Sequence, residues 1–283
     1  SFYIEEKPKI DGVLDEEVWL NAPVTSDFTE LSPNPGRQAS QRTTVKVLYT
    51  TEGIYVGAKM YDTAADSILT QLSVRDANRN VNADNFAVYI DGMYTQQSSF
   101  TFQVTAAGVQ IDENDGDEIW DAVWKSAVKI DADGWVAELE IPYSQLRFPK
   151  NEIQTWGINF GRNIRRTRQE FFWSPIDPTQ ENFVQQQGLL TGIERIKPPI
   201  RLSFTPYIAG YINHAYDGQT KETLISPTFS AGADMKYGIN ESFTLDVALV
   251  PDFGDVQSDN LVFNISPFEI YYEERRPFFT EGT

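Results

Sequence analysis

Short segments of alternating apolar and polar residues, separated by turn residues, fill the first two-thirds of the chain. In the first of them, Val45, Val47 and Tyr49 alternate with Lys46 and Leu48, and Glu52-Gly53 leads into an apolar run, IYVGAKMYD. This pattern predicts a β-hairpin. Further segments follow after Asp-Gly, Ala-Gly and proline-containing turns: NFAVYIDG, SSFTFQVTAAG, WDAVWKSAVKID, GWVAELEIP, TWGINFGRNI and RQEFFWSP. Turn signals about every 8 to 12 residues predict an all-β fold, an antiparallel β-sandwich of jelly-roll-like type.

Length, charge and cysteine content limit the classes of protein to which the chain can belong. With 283 residues, it can hold one large β-domain, or a domain of about 200 residues with an extension. The absence of cysteine excludes disulfides and thiolate metal sites. A formal net charge of −18 argues against a nucleic-acid partner, because phosphates would be repelled over most of the surface.

The first 23 residues contain a turn, a helical signal and a tryptophan. Asp11-Gly12 is typical of a turn in which the glycine adopts a positive φ. Asp15 is a suitable N-cap for a short helical turn over residues 16–21, which Pro23 ends. We therefore expect Trp19 to be buried and to fix this turn onto a sheet.

The same stretch resembles the signature that opens family 9 carbohydrate-binding modules. The residues that match it are Ile10, Asp11, Gly12, Leu14, Asp15, Glu16, Trp19 and Ala22. Further along, DNFAVYID, GWVAELEIPYSQL and WGINF are similar to successive core strands of that family. The resemblance implies a family 9-like carbohydrate-binding β-sandwich over residues 1–196, with a concave ligand face.

The resemblance also implies where a ligand would bind. In sugar-binding members two tryptophans hold a terminal glucose; here Val81 stands at the first position, and residues 181–183 stand at the second without a tryptophan. Gln103 stands where the family has an arginine. The predicted ligand-binding residues are Trp120, Asp84, Gln103 and Phe183. Trp120 and Trp124 would share one face of a strand, either as a platform for sugar or as part of the core.

An acidic run over residues 112–118 contains the predicted metal ligands Asp112, Asp115 and Asp117. Carboxylates this dense repel one another unless a cation or water separates them, and their oxygen atoms suit Ca²⁺. Calcium also accompanies several family 9 modules. The alternative is a solvated acidic turn. A glycosidase pair is a poor fit, because one flexible loop does not hold two carboxylates across a cleft.

No catalytic constellation is evident in the sequence. The single histidine, His214, lies in a predicted strand without a G-x-S-x-G motif. Four arginines lie close together at 162, 165, 166 and 168. They would mostly face water or pair with acids; the alternative is a docking patch for lipid headgroups or acidic glycans.

The pattern changes after Pro198-Pro199, which predicts a short, stiff linker. Residues 201–250 contain segments of about 9 to 11 residues that are apolar on one side, as in strands of outer-membrane barrels or of a soluble antiparallel sheet. The run that follows resembles a segment of uncharacterised Gram-negative outer-membrane proteins in which a family 9-like domain precedes a β-barrel. The matching residues are 251–254, 268–269 and 274–279. The resemblance implies that residues 197–283 are the first, barrel-type strands and a connecting segment of an outer-membrane barrel.

The sequence therefore predicts a non-catalytic, carbohydrate-binding domain attached to an outer-membrane β-barrel. Its predicted partners are a glycan and outer-membrane lipid, and its predicted cofactor is Ca²⁺. Its location would be the outer membrane of the cell envelope, with the sandwich in the periplasm or at the surface. Two alternatives stay open: a structural or assembly domain that has lost sugar binding, and an accessory part of a glycoside hydrolase.

Overall fold

The computed structural model describes residues 1–77, 81–114, 120–199, 202–217, 222–239 and 243–249. The chain divides into two compact units, Ser1–Pro199 and Ile200–Thr283. The acidic residues Asp115 and Asp117 and the run at 251–279 lie outside the described residues.

The first unit consists of thirteen strands and one short α-helix among its described residues. The helix is α1 (Glu17–Asn21). In chain order the strands are β1 (Phe2–Tyr3), β2 (Val24–Thr25), β3 (Thr29–Ser32), β4 (Thr43–Tyr49), β5 (Gly53–Tyr61), β6 (Asn85–Asp91), β7 (Phe100–Thr105), β8 (Gln110–Asn114), β9 (Lys125–Asp131), β10 (Gly134–Pro142), β11 (Ile153–Ile164), β12 (Gln169–Phe172) and β13 (Gly188–Glu194). Three 3₁₀ turns lie at Ala65–Ser67, Tyr143–Gln145 and Val184–Gln186.

These strands form two sheets, which confirms the predicted β-sandwich. The six-stranded sheet has the order β1-β4-β5-β10-β9, with β2 also paired to β4. The seven-stranded sheet has the order β3-β12-β11-β6-β7-β8, with β13 also paired to β11. All described pairs in the two sheets are antiparallel except β1–β4, which is parallel. The predicted hairpin is confirmed as β4–β5.

The core lies between the two sheets and consists of every second residue of the central strands. On β6 the inward residues Phe86, Val88 and Ile90 are fully buried, as the period of two along a strand requires. Trp135 and Trp156 are also fully buried in this core. Trp173 is half-buried and packs against the same core, with its ring centroid 5.7 Å from that of Phe160.

The N-terminal segment covers the outer side of the six-stranded sheet. Trp19 is fully buried there in a small cluster with Leu48 and Tyr55, as predicted. The expected N-cap at Asp15 is wrong: Glu16 occupies the N-cap position, and its side chain makes no capping hydrogen bond. Because α1 has only five residues, its position depends on the buried tryptophan rather than on a cap.

The second unit contains an antiparallel sheet of three strands: β14 (Leu202–Asp217), β15 (Glu222–Gly238) and β16 (Thr244–Leu249). With 16 and 17 residues, β14 and β15 are longer than the predicted segments. Cross-strand pairing places most of the large apolar residues on one face, whereas Tyr207 lies on the other. Several of them are exposed, namely Leu202, Phe204, Ile208, Ile212, Phe229, Tyr237, Leu245 and Leu249.

Among the described residues, no helix has the length and apolar character needed to cross a membrane.

Candidate functional site

The candidate site is the outer face of the seven-stranded sheet, and Gly161 lies in the middle of this face. Gly161 on β11 lies opposite Ala87 of β6 and Phe172 of β12. Ala87 in turn lies opposite Gln103 of β7. Since Phe86 and Phe160 point into the core, these neighbouring residues point outward. Small residues thus line the middle of this face, and larger ones flank them.

Three aromatic rings pack together on this face. The ring centroids of Tyr89 and Phe183 are 4.9 Å apart, those of Phe172 and Phe183 are 5.4 Å apart, and those of Tyr89 and Phe172 are 5.9 Å apart. A Cβ atom at Gly161 would lie 3.1 Å from a Phe172 ring carbon and 3.2 Å from a Tyr89 ring carbon. The glycine therefore lets the aromatic cluster lie close to the sheet.

Phe183 reaches the cluster on a loop, residues 174–187, whose start is fixed by a buried amide. Asn159 is fully buried on β11; its Oδ1 accepts the N–H of Ser174 at 2.8 Å, and its Nδ2 donates to the Ser174 carbonyl at 3.1 Å. Ser174 Oγ donates to the Gln186 carbonyl at 2.7 Å, which joins the two ends of the loop. Gln186 Nε2 also donates to the Asn182 carbonyl at 3.3 Å. Side-chain hydrogen bonds therefore fix the segment that carries Phe183.

Of the four predicted ligand-binding residues, the structure brings two to this face. Phe183 belongs to the aromatic cluster, and Gln103 lies two strands from Gly161, roughly 10 Å away at ordinary strand spacing. Trp120 lies on the other side of the sheet, where its ring centroid is 5.2 Å from that of Phe100 and 5.8 Å from that of Phe102.

Trp120 and Trp124 do not share a strand, because β9 begins only at Lys125. Both rings pack edge-on against Phe102, and Trp124 is buried. This arrangement corresponds to the core alternative of the prediction rather than to an open platform for sugar.

Asp84 lies in the interior, in an ionic cluster that the sequence did not predict. It is fully buried; its Oδ1 accepts the N–H of Arg165 at 3.0 Å, and its Oδ2 has no protein hydrogen-bond partner. Burial raises the pKa of Asp84, and the nearby charges of Arg162 and Arg166 oppose this rise. A fully buried carboxylate has no surface to offer a sugar, so Asp84 is part of this cluster rather than of the outer face.

Arg162 does not face water but pairs with a neighbouring acid, which was the other part of the prediction: its Nη2 lies 3.8 Å from Asp62 Oδ2. Its guanidinium is fully buried and donates to the carbonyls of Arg42 and Tyr61 at 3.1 and 2.8 Å and to Thr43 Oγ1 at 3.1 Å. Burial lowers the pKa of Arg162 to about 10. The sequence could not show this, because an arginine normally adds an exposed charge to a strand.

Arg166 pairs with the buried acid Asp62, which agrees with the prediction that these arginines face water or pair with acids. It makes a two-pronged ion pair with Asp62 at 2.8 and 2.7 Å. Burial raises the pKa of Asp62, but the hydrogen bonds from Arg166 and the Ala64 N–H, with the charges of Arg166 and Arg162, outweigh it and leave the pKa below its ordinary value.

Asp112, the one predicted metal ligand among the described residues, is engaged by protein donors. Its Oδ1 accepts Trp124 Nε1 at 3.0 Å and a hydrogen bond from Arg75, and its Oδ2 accepts the N–H of Ala122 at 2.6 Å. Burial raises the pKa of Asp112. Asp76 and Asp121 have carboxylate oxygens close by, and Arg75 forms ion pairs with all three acids.

Arg75 therefore supplies the positive charge that a cation would bring, and Asp112 does not fit a calcium ligand in this arrangement. For Asp115 and Asp117, calcium binding stays a prediction, which the melting temperature in millimolar Ca²⁺ tests.

Two members of the aromatic cluster, Tyr89 and Phe172, were missed by the sequence analysis. Tyr89 is the outward aromatic residue of a strand whose alternate residues are buried, so the alternation in the sequence could have predicted its place on the outer face. Phe172 follows the buried Phe171, and nothing in the sequence shows which of the two points outward.

Comparison with known families and structures gives the following matches. Residues 10–185 match the model of the carbohydrate family 9 binding domain-like family, and residues 198–283 match a domain of unknown function, DUF5916. Comparison with curated proteins gives no significant match.

Among solved structures, the chain is similar to a family 9 carbohydrate-binding module from Caldicellulosiruptor kristjanssonii in complex with cellotriose, with a TM-score of 0.49 and 16% identity over 70% of this chain and 94% of that chain. The corresponding glucose complex gives a TM-score of 0.49 and 16% identity, over 70% and 96% of the two chains. A "putative carbohydrate-binding protein" from Bacteroides uniformis gives a TM-score of 0.52 and 13% identity, over 69% and 97%.

The last similarity supports the sandwich fold alone, whereas the family model covers more than half of the chain. The chain belongs to the carbohydrate family 9 binding domain-like family.

Proposed function

We propose that this chain binds carbohydrate without catalysing a reaction, and that the outer face of the seven-stranded sheet holds the glycan. The observation that carries the proposal is the aromatic cluster above Gly161, in which the partly exposed rings of Tyr89 and Phe183 pack against the buried Phe172. Aromatic rings stack on the apolar C–H faces of sugars. Because hydrogen bonds already hold the loop that carries Phe183, binding costs little conformational entropy there.

The polar residues around the cluster suit a sugar with hydroxyl groups. Asn85, Thr101, Gln103 and Asn163 are uncharged outward residues of β6, β7 and β11 near the cluster. Two acids, Glu113 and Glu170, lie opposite Thr101 and Asn163 on the flanking strands, where their charge would repel an acidic glycan. Amide and hydroxyl side chains both donate and accept hydrogen bonds, as sugar hydroxyls do. The proposed ligand is therefore a neutral glycan.

A glycan array followed by titration calorimetry tests this proposal. We expect saturable binding to neutral glycans, weakened about fivefold or more by Phe183→Ala, because one stacking ring is worth about 1 kcal/mol or more. Leu20→Ala is the matched control: Leu20 is 67% exposed on α1, over the other sheet, and its loss should leave affinity unchanged.

Two results would overturn the proposal. If no glycan on the array binds, the result would favour a structural or assembly domain that keeps the sandwich without sugar binding. Binding that Phe183→Ala leaves intact would place the glycan elsewhere on the molecule.

We also infer that the second unit contacts lipid and attaches the protein to the outer membrane of a Gram-negative cell envelope, as the start of a β-barrel. The support is the apolar face of β14 and β15, where Ile208 is 87% exposed, Phe229 81% and Ile212 77%. Exposed apolar residues in this number are unfavourable in water, and alternation between apolar and polar faces is typical of membrane strands.

Vesicle flotation of the full chain tests the lipid contact. We expect the chain to float with phospholipid vesicles, and Ile208→Lys to reduce the bound fraction because a charge on the apolar face is costly in lipid. Thr205→Lys is the control, since Thr205 is exposed on the opposite face of β14. Equal effects of the two variants, or no binding of the wild type, would contradict the inference.

A further inference from the structure

The turn between β6 and β7 holds two residues in an unfavourable backbone conformation. Tyr94 has a φ of 52° and Gln96 a φ of 59°, and neither is a glycine. A left-handed backbone is uncommon for such residues and persists only where surrounding contacts impose it. Tyr94 and Gln96 therefore occupy two positions whose backbone conformation favours glycine.

Specific hydrogen bonds hold this turn. Asp91, which is buried, accepts the N–H of Gln96 through Oδ2 at 2.7 Å and the N–H of Tyr94 through its carbonyl at 3.3 Å. Asn182 Nδ2 donates to the Gln96 carbonyl at 3.3 Å. Since Asn182 directly precedes Phe183, the turn is tied to the loop that carries the aromatic cluster.

The turn continues the outer face beyond the cluster. Asp91 is two residues after Tyr89 and points to the same side of β6, opposite Gly157. Tyr94 is 40% exposed, and its Oη accepts a hydrogen bond from Gln96 Nε2 at 3.4 Å. A second exposed aromatic residue thus lies on a turn that is hydrogen-bonded, through Asn182, to the loop that carries Phe183.

We propose that this turn, residues 92–98, is a second contact zone of the glycan face, with Tyr94 as its stacking surface. This inference rests on the proposed function and extends it: the ligand is an oligosaccharide of at least two sugar rings, one at the Phe183 cluster and the next at Tyr94. The left-handed backbone at Tyr94 sets the position of its ring. The hydrogen bond from Asn182 to Gln96 holds the turn and the Phe183 loop in a fixed relative position.

Titration of the full chain with glucose and with cellotriose tests the inference. We expect Tyr94→Ala to weaken cellotriose binding about tenfold and to leave glucose binding within about twofold, because only the longer sugar reaches the second zone. Tyr94→Phe keeps the ring and should keep the affinity. Phe183→Ala should weaken both sugars.

A second readout separates binding from folding. Tyr94→Gly relieves the left-handed backbone, so its melting temperature should equal or exceed that of the wild type, while cellotriose binding falls as in Tyr94→Ala. A merely structural Tyr94 would lower the melting temperature in both variants.

The outcomes distinguish this inference from the proposed function. Equal loss of glucose and cellotriose binding in Tyr94→Ala, or no loss of either, overturns the second contact zone and leaves the proposed function standing. A wild-type chain that binds neither sugar, nor any glycan on the array, overturns both.

Discussion

Glu138 Oε1 accepts the indole N–H of Trp19 at 3.0 Å, although the two residues are 119 positions apart in the sequence. Its other oxygen, Oε2, accepts the backbone N–H groups of Asp11, Gly12 and Val13 at 2.8, 2.6 and 3.3 Å. Glu138 is fully buried. One carboxylate therefore fixes both the turn and the tryptophan of the N-terminal segment on the outer side of the six-stranded sheet.

The same contact explains why a glycine follows Asp11. Gly12 has a φ of 84°, and a Cβ atom there would lie 3.0 Å from the backbone carbon of Val128. Only glycine lets three successive N–H groups converge on the carboxylate so close to a neighbouring strand. The opening signature thus has a structural role, and the proposed glycan face lies on the other sheet.

Replacement of Trp19 by alanine should destabilise the protein by about 3 to 5 kcal/mol, because it removes a large buried ring and leaves Glu138 without one of its donors. Chemical denaturation monitored by circular dichroism measures this change. Leu20→Ala, the exposed neighbour, should shift the free energy of unfolding by less than about 0.5 kcal/mol. An unchanged midpoint for Trp19→Ala would show that the segment does not contribute to the fold.

The Asp62–Arg166 ion pair should make stability depend on pH in the acid range. The pKa of Asp62 in the folded protein is lower than its ordinary value of 3.8, so the unfolded chain binds its proton more readily. The stabilisation is therefore present above about pH 4 and is lost as the pH falls through the lowered folded pKa.

Asp62→Asn tests this dependence. We expect the variant to be less stable than the wild type by about 3 to 5 kcal/mol at pH 7, with a difference that shrinks below pH 4. Urea denaturation at a series of pH values measures it. Asp66→Asn, at an exposed neighbouring position, is the control and should show no such trend. A difference that stays constant down to pH 2 would contradict the assignment.

Asn159 should control the order of the loop that carries Phe183. Asn159→Asp keeps the acceptor for the Ser174 N–H but loses the donor to the Ser174 carbonyl, and it places a charge in a fully buried position. We expect faster amide hydrogen exchange across residues 174–187 and weaker glycan binding. Unchanged exchange in this loop would show that Ser174 does not depend on Asn159.

The sequence predicted the sandwich because its signal is local. Alternation in each strand and turn residues between strands decide which side of a strand is buried, and residues such as Val88 and Trp156 follow that rule. The burial of Trp19 was also predictable, since a large ring in a polar segment needs a surface to pack against.

The candidate site was predictable only in part, because it depends on contacts between distant segments. Gln103 and Phe183 were placed by resemblance, whereas the meeting of Phe183 with Tyr89 depends on the path of a loop. Asp84 and Arg162 look like surface charges in the sequence. Only the packing of the two sheets shows that they share a buried cluster.

The C-terminal strands should be the part of the isolated chain most accessible to proteases. Within the described residues, β14 and β16 each pair with β15 alone, so each leaves one edge without a strand partner. Closed membrane barrels have eight or more strands and no open edge in lipid. A three-stranded sheet with an exposed apolar face therefore lacks the contacts that stabilise such strands.

Limited proteolysis of the full chain, with fragments identified by mass spectrometry, tests this expectation. In water we expect selective loss of residues beyond about Pro199 and a stable fragment that contains both sandwich sheets. In detergent micelles the cleavage of β14 and β15 should be slower, because the apolar face carrying Ile208 and Phe229 is then covered. If residues 202–249 of a monomer resist proteolysis in water as well as the sandwich does, these strands complete a soluble β-domain, and the attachment to a membrane is wrong.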